Sequence, residues 1–229
     1  LPLPKTIFAH GWWTNEGKKI SKSLGNSIDP NHMIDSFGLD QFRFFLLREV
    51  TLGKDGDFSI SSFKNRINSD LSNNLGNLVQ RTLKFINKNF DGKILSNLDS
   101  NNLSSYPLDN TYKLFKKVEK LIMNFEINRA LEEIFNVVSI LNKFMDDSEP
   151  WNVIKKNKEN AANIMSQMVE CFRVLGILLQ PFIPTSAKNL LDTLNINDDL
   201  RTFKYLNSKY AIKKGHTINE PKALFPRFE

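Results

Sequence analysis

The sequence predicts a mainly α-helical protein, in which a helical bundle follows a small mixed α/β segment. From about residue 63 onward, apolar side chains recur at steps of three and four, which is the period of an amphipathic helix. Before that point, short apolar runs alternate with turns rich in glycine and aspartate, as in KTIFAHGWW and LGKDGDF. We therefore divide the chain into a mixed segment at 1–62, a bundle at 63–200 and an irregular tail at 201–229.

The mixed segment contains several short elements. KTIFAHGWW predicts a short strand that enters a loop, and Asp29-Pro30 has the chemistry of a turn. Asp40 is a candidate N-cap for a short helix through QFRFFLLREV. The stretch LGKDGDFSISSF, with its glycines and aspartates, predicts a turn or an extended connector.

The bundle is predicted from apolar periodicity and its interruptions. A long amphipathic helix over 63–90 ends near Asp91-Gly92, and a polar loop over 94–110 follows. Further helices are predicted at 110–124, 127–145, 162–180 and 185–194. Pro150 interrupts the helical pattern directly before Trp151. Spacings of four and three alternate without a break in the 127–145 helix, at Ile127, Leu131, Ile134, Val138, Leu141 and Met145.

Composition favours an anionic partner and excludes several classes of protein. The 229 residues have a net charge of +6 and a pI near 9.3. No run approaches about 18 uninterrupted apolar residues, so we expect no membrane span. Cys171 is the single cysteine, which excludes a disulfide framework, and its apolar surroundings predict a core residue. None of the three histidines has a second ligand at metal-binding spacing, so we expect no metal site here.

The stretch NEGKKISKSLGN combines three lysines with two serines and two glycines. Phosphate binding by a loop needs glycines for close approach, backbone N–H groups and cations that reach the oxygens. The stretch supplies all three, although it lacks the GxxxxGK[ST] spacing of a P-loop. On composition alone, a solvated basic loop and a phosphate-binding loop both remain open.

A polar stripe and an aromatic residue are candidates for RNA recognition. Asn73, Asn77 and Arg81 are spaced by four on the face of the long helix opposite its apolar side. Asparagine is a poor helix former, and its amide can donate to and accept from a base edge. Trp151 lies at a junction between helices, where its ring can stack on an unpaired base. A solvated helix face and a core-capping tryptophan are the alternatives.

The order of these residues resembles a known family. Lys19 to Ser23, KISKS, resembles the KMSKS signature of class I aminoacyl-tRNA synthetases, with Ile20 in place of methionine. The surrounding HGWWTNEGKKISKSLGNSIDP is similar to the methionyl-tRNA synthetases in particular. The stretch NNLGNLVQR, the Pro150-Trp151 pair and the terminal LFPR also resemble that family, so the resemblance covers essentially the whole chain.

The resemblance implies both a function and site residues. The 1–62 segment would be the end of a Rossmann-type class I catalytic domain, and the bundle would be an anticodon-binding domain. Lys22 and Lys19 would be catalytic, and together with Ser21 and Ser23 they would bind ATP, with Mg²⁺ expected in the full enzyme. Methionine and tRNA(Met) would be the other partners. Reading of the CAU anticodon would fall to Asn73, Asn77, Arg81 and Trp151.

The resemblance also leaves alternatives open. The lysine loop does not separate methionyl from isoleucyl or valyl enzymes, and a helical RNA-binding protein without catalytic activity is a third reading. Because the HIGH-like motif of the family is not found in these residues, we expect a piece of a longer protein. We also expect that protein to be cytoplasmic and monomeric. We also expect this piece to be inactive by itself.

Overall fold

The computed structural model describes residues 2–98 and 106–229, and for Lys22 it describes the backbone alone. A small three-stranded sheet has the order β2-β1-β3, with β1 at Trp13–Asn15, β2 at Lys18–Lys19 and β3 at Gly56–Phe58. Strands β1 and β2 form an antiparallel hairpin, and β3 pairs with β1 in parallel. The strand predicted within KTIFAHGWW is wrong in its placement, because residues 2–12 form no strand and only Trp13 of that stretch belongs to β1.

Two helices connect β1 and β2 to β3. Helix α1 spans Pro30–Phe37, and the Asp29 side chain accepts a hydrogen bond from the Asn31 amide at its start. Helix α2 spans Leu39–Arg48, and Gly38 is its N-cap with φ 96°. The prediction that Asp40 caps α2 is wrong.

Asp40 caps a different helix. It lies in the first turn of α2 and is only 4% exposed. Its carboxylate accepts from the backbone amides of Ser186 at 2.5 Å and Thr185 at 3.3 Å. These residues begin a helix at Pro184–Thr193, whose first amides lack partners within the helix. The carboxylate therefore fastens the N-terminal segment to the bundle.

The long helix predicted over 63–90 is present, but it is not α-helical throughout. Helix α3 spans Ile60–Arg66, a π-helical stretch spans Ile67–Gly76, and α4 spans Asn77–Phe90. Asp91 adopts the left-handed conformation with φ 52° and ends the helix where the sequence predicts. The angle of 100° per residue assumed for Asn73 therefore holds only from Asn77 onward.

The remaining predicted helices are confirmed with small shifts at their ends. Helix α5 spans Leu108–Met123 and α6 spans Ile127–Ser148. The short α7 spans Pro150–Val153, α8 spans Lys158–Leu179 and α9 spans Pro184–Thr193. Within the predicted polar loop at 94–110, residues 99–105 lie outside the described residues.

Helix α8 is the centre of the bundle. Nearly every residue from Ala161 to Leu179 is buried, including Cys171, as the sequence predicts. By length and hydropathy alone α8 is apolar enough to cross a membrane, but 94% of that stretch is buried inside the protein. Such burial is typical of a core helix.

The tail after residue 200 is irregular, as predicted, apart from two short 3₁₀ turns at Phe203–Tyr205 and Ser208–Tyr210. Near its start it is held by Arg173 of α8, which donates to the Tyr205 carbonyl at 2.7 Å. At its end, Ser72 donates to the Pro226 carbonyl at 2.7 Å, and Phe225 is buried against Gly76. A side chain at Gly76 would meet the Phe225 ring, so this glycine permits the close packing.

Candidate functional site

The lysine stretch begins in the β1–β2 hairpin. Glu16 and Gly17 both have positive φ angles, 50° and 72°, as a tight two-residue hairpin turn requires. The Asp57 carboxylate accepts from the Thr14 hydroxyl at 2.6 Å and from the Gly17 amide at 2.9 Å. The Thr14 bond first, and then the Gly17 bond, lower the pKa of Asp57. An ionised carboxylate therefore fixes this turn to β3.

Asn26 shapes the loop that follows β2. Its side-chain oxygen accepts from the Ser21 amide at 2.9 Å, and its side-chain nitrogen donates to the Lys19 carbonyl at 3.1 Å. Its own carbonyl accepts from the Asn15 side chain at 2.9 Å. One asparagine thus closes the loop over residues 19–26. Asn26 was not predicted as a site residue, although asparagine side chains commonly bond to nearby backbone groups in turns.

The predicted phosphate-binding residues surround this closed turn. Lys19 is exposed at the end of β2, and Ser21 and Ser23 place their hydroxyl oxygens 2.8 Å apart. The Lys22 backbone begins a 3₁₀ turn, and its side chain lies outside the described residues. Two hydroxyls and the exposed Lys19 thus lie within one short stretch of the chain, and groups of these types can bind phosphate oxygens.

Within residues 2–98 and 106–229, no cluster of three or more histidine, cysteine, aspartate or glutamate side chains is arranged to hold a metal ion. The lysine loop itself contains lysines and serines, groups of the kind that bind anions. The Asp57 carboxylate beside the hairpin is already engaged by Thr14 and Gly17, and Glu16 in the turn itself is exposed.

On the long helix, the predicted recognition residues divide into two groups. Asn73 and Asn77 are exposed, and their side chains make no hydrogen bond to the described part of the chain. Arg81 is half-buried and donates to Asp146 of α6 at 2.8 Å and to the Asn142 side chain at 3.2 Å. The two amides are thus available to a ligand, and α6 orients the guanidinium.

A network of amides supports Arg81. The Asn142 side chain donates to the Asn74 side-chain oxygen at 2.7 Å, and Asn74 donates to the Ser139 hydroxyl at 3.2 Å. Sequence periodicity selected Asn73, whereas the π-helical stretch turns its neighbour Asn74 toward α6. Asn142 and Asp146 were also missed. The sequence feature that could have identified them is their spacing of four, which places both on the face of α6 next to its apolar stripe.

Trp151 is presented at the surface by the break between α6 and α7. Glu149 takes the left-handed conformation with φ 40°, and the buried Pro150 begins α7. The Trp151 side chain is 40% exposed, and it stacks on no aromatic ring in the described ranges. Trp151 lies five residues beyond Asp146, the partner of Arg81, and we call the surface residues Arg81 and Trp151 together the Arg81–Trp151 edge.

Two family profiles match this chain, and together they span both candidate sites. The profile of class I tRNA synthetases (M) matches residues 1–83, and the anticodon-binding domain of methionyl-tRNA ligase matches residues 105–229. The chain belongs to the methionyl-tRNA synthetase family. This membership confirms the resemblance and distinguishes the chain from the isoleucyl and valyl enzymes.

Members of the methionyl-tRNA synthetase family match the chain from end to end. The methionine–tRNA ligase of Rickettsia felis is 48% identical over 100% of this chain, and that of Fusobacterium nucleatum is 40% identical. The Mycobacterium tuberculosis methionyl-tRNA synthetase in complex with methionyl-adenylate superposes with a TM-score of 0.93 at 34% identity, covering 99% of this chain. Its apo form gives a TM-score of 0.90 at 31% identity.

The chain spans about 45% of the length of the Rickettsia felis relative, and 45% of the Mycobacterium tuberculosis chain. Neither profile matches residues 84–104, which lie inside the bundle predicted at 63–200. The long helix that contains Asn77 and Arg81 thus continues from the first profile toward the second.

Proposed function

We propose that the chain is the part of a methionine–tRNA ligase that contains the ATP-binding lysine loop and the surface that reads the anticodon of tRNA(Met). One observation supports this proposal. The Asn26-closed loop and the Arg81–Trp151 edge occur in the same chain, which methionine–tRNA ligases match from end to end. The enzyme acts in translation, in the cytoplasm, as a monomer that requires no membrane.

The lysine loop serves the first half-reaction. A carboxylate oxygen of methionine attacks the α-phosphorus of ATP, and the bond to the β-phosphate oxygen breaks, so methionyl-adenylate and pyrophosphate form. Negative charge grows on the phosphate oxygens during this step, and cations held at fixed positions stabilise it. Lys19 and Lys22 supply the positive charge, Ser21 and Ser23 donate or fix the turn, and Mg²⁺ arrives with ATP.

The Arg81–Trp151 edge serves recognition of the tRNA. The exposed Trp151 ring stacks on an unpaired anticodon base, and the Asn77 and Asn73 amides donate to and accept from base edges. Arg81 is already oriented by Asp146 and Asn142, so it loses less conformational freedom when it binds. Single-stranded loops are the usual targets of such recognition, because their bases are unstacked.

Aminoacylation by the full-length enzyme tests this proposal. We expect charging of tRNA(Met) with methionine and no charging with isoleucine or valine. Lys22→Ala should lower adenylate formation by roughly 10²–10³-fold, the usual effect of losing one positioned transition-state donor, and leave tRNA affinity unchanged. Lys18→Ala is the matched control, since Lys18 is an exposed lysine in the same hairpin. Equal adenylate formation by Lys22→Ala and Lys18→Ala would contradict the assignment.

Pyrophosphate exchange by the 229-residue chain alone tests whether these residues suffice for catalysis. We expect no exchange above background, because we assign only the lysine loop of the ATP site to this chain. Exchange dependent on methionine would show that the isolated chain forms the adenylate.

A further inference from the structure

The polar stripe on α4 continues beyond the predicted anticodon residues. Asn77, Arg81, Lys84 and Lys88 follow at steps of four, three and four, so they fall within a sector of about 60° at 100° per residue. Lys84 and Lys88 are both exposed, and neither has a carboxylate within 4 Å in the part of the chain that the structure describes. Seven residues separate Arg81 from Lys88, which is about 10 Å along the helix axis.

Three separate chain segments meet at the end of α4. The Lys158 ammonium lies 5.8 Å from the centre of the Phe90 ring, which brings the start of α8 to this end. The Lys214 amide donates to the Asn97 side chain at 2.9 Å, and Lys93 pairs with Thr217 in a β-bridge. A cavity of about 480 Å³ lies between the segments. Its lining includes Asn97, Asn157, Asn160, Asn163 and Lys214, together with one carboxylate residue, Glu159.

These segments concentrate positive charge. The lysines of α5 and α9 that lie beside carboxylates are paired, as in Lys113–Asp109 and Lys188–Asp192, both at 2.6 Å. By contrast, no lysine at this end forms an ion pair within the described ranges. The exposed carboxylates nearby include Asp91, Glu149 and Glu159, and Glu149 accepts from the Asn152 side chain, to which Lys155 donates. The basic end, as we name this surface, consists of Lys84, Lys88, Lys93, Lys155, Lys156, Lys158 and Lys214.

We propose that the basic end binds RNA phosphates, continuing the contact of a bound RNA beyond the Arg81–Trp151 edge without reading its sequence. This inference rests on the proposed function, since it takes its partner from the anticodon site. Trp151 would stack on one unpaired base, and Lys155 and Lys156 lie four and five residues after it in the chain. The basic end presents exposed ammonium groups around a cavity lined mostly by amide side chains. Such a surface suits a sugar-phosphate strand.

The test compares two double variants of the 229-residue chain with the same net charge. Lys88→Ala/Lys156→Ala removes two ammonium groups from the basic end. Lys116→Ala/Lys120→Ala removes two exposed lysines of α5, which likewise form no ion pair within the described residues. Binding of an RNA stem-loop with a CAU loop, and of one with the loop sequence changed, is measured by fluorescence anisotropy from 50 to 200 mM salt.

For the basic-end variant we expect affinity for both RNAs to fall on the order of tenfold at 50 mM salt. The slope of log affinity against log salt should decrease by about 1.4, because each lost phosphate contact on single-stranded RNA contributes about 0.7. The loss of affinity relative to the unmodified chain should then be about sevenfold smaller at 200 mM salt than at 50 mM salt. The α5 variant should retain the original slope.

The outcomes separate the two proposals. Preference for the CAU loop with equal slopes in the two variants would overturn the basic end and leave the anticodon proposal standing. Binding without any preference for the CAU loop, but with the expected loss of slope, would overturn the anticodon proposal while keeping a phosphate surface. Absence of RNA binding by the unmodified chain would overturn both.

Discussion

Replacing Arg173 by methionine should destabilise the bundle strongly, because it leaves a buried carboxylate unpaired. The Arg173 and Glu170 side chains are 3% and 0% exposed, and they form a two-pronged ion pair with bonds of 2.6 and 2.9 Å. Glu170 also accepts from the Tyr112 hydroxyl at 2.7 Å and from the Ile212 amide at 3.0 Å. Burial, and then the Glu170 charge, raise the pKa of Tyr112, so this hydroxyl remains a donor.

The magnitude follows from the burial. Removing one partner of a buried ion pair typically costs about 3–5 kcal/mol, because the remaining charge has lost its water and its counterion. For a domain of this size, roughly 2–4 °C of melting temperature corresponds to 1 kcal/mol, so Arg173→Met should lower it by roughly 6–20 °C. The loss of the bond to the Tyr205 carbonyl should also loosen the tail.

The assay is urea unfolding followed by circular dichroism at 222 nm. Arg129→Met is the matched control: Arg129 pairs with Glu126 at the same spacing of three, but its side chain is 58% exposed. Exposed pairs contribute about 0–1 kcal/mol, so this variant should remain close to the original stability. Adding Glu170→Gln to Arg173→Met removes the orphaned charge, and the double variant should be about 1–3 kcal/mol more stable than the sum of the single changes. A loss below about 1 kcal/mol for Arg173→Met, or strict additivity, would refute the reasoning.

Three further predictions concern the core, the helix contact and the loop. Burial raises the pKa of the Cys171 thiol to about 12, so iodoacetamide at pH 8 should alkylate it only in urea, and labelling in buffer would contradict this burial. Asp40→Ala should cost about 1–2 kcal/mol in urea unfolding, because the first amides of α9 lose their cap, and unchanged stability would refute this cap. Asn26→Ala should speed exchange of the Ser21 amide hydrogen at least tenfold by NMR while leaving global stability within about 1 kcal/mol, and an unchanged exchange rate would count against Asn26 as the loop's closing residue.

The helices were predictable because the apolar residues that they bury recur in the sequence with a helical period. Apolar steps of three and four located α5, α6 and α8 within a few residues, and Asp91-Gly92 marked the end of α4. Pro150, directly before Trp151, located the break between α6 and α7, because proline cannot continue a helix.

Contacts between distant segments were not predictable from that local period. Asp40 looks like an N-cap for its own helix, but it caps a helix about 145 residues later in the chain. Asn74 was passed over for Asn73, because ideal α-helical geometry does not foresee a π-helical stretch. Asn26 closes the lysine loop through bonds to Ser21 and Lys19 that only the folded turn brings together.

The residues of the candidate site likewise divide into those that the sequence selected and those that only folding brings to the site. Residue order in KISKS selected the exposed Lys19, and the spacing of four selected the exposed Asn77 and the half-buried Arg81. Their supporting partners, Asn142 and Asp146 on α6, come from a helix more than 60 residues away. Sequence order thus predicts the groups offered to a ligand, whereas the groups that orient them depend on packing.

Binding of the 229-residue chain to a CAU stem-loop RNA, with and without Trp151, tests the central claim most directly. We expect the chain to prefer this RNA over a stem-loop with an altered anticodon, and Trp151→Ala to weaken CAU binding by roughly 5–150-fold, the effect of losing about 1–3 kcal/mol of base stacking. Trp12→Ala is the matched control, because Trp12 is 78% exposed in the segment before β1. We expect its affinity to stay within about twofold of the original. Equal affinity of the Trp151 and Trp12 variants for the CAU stem-loop would contradict the account.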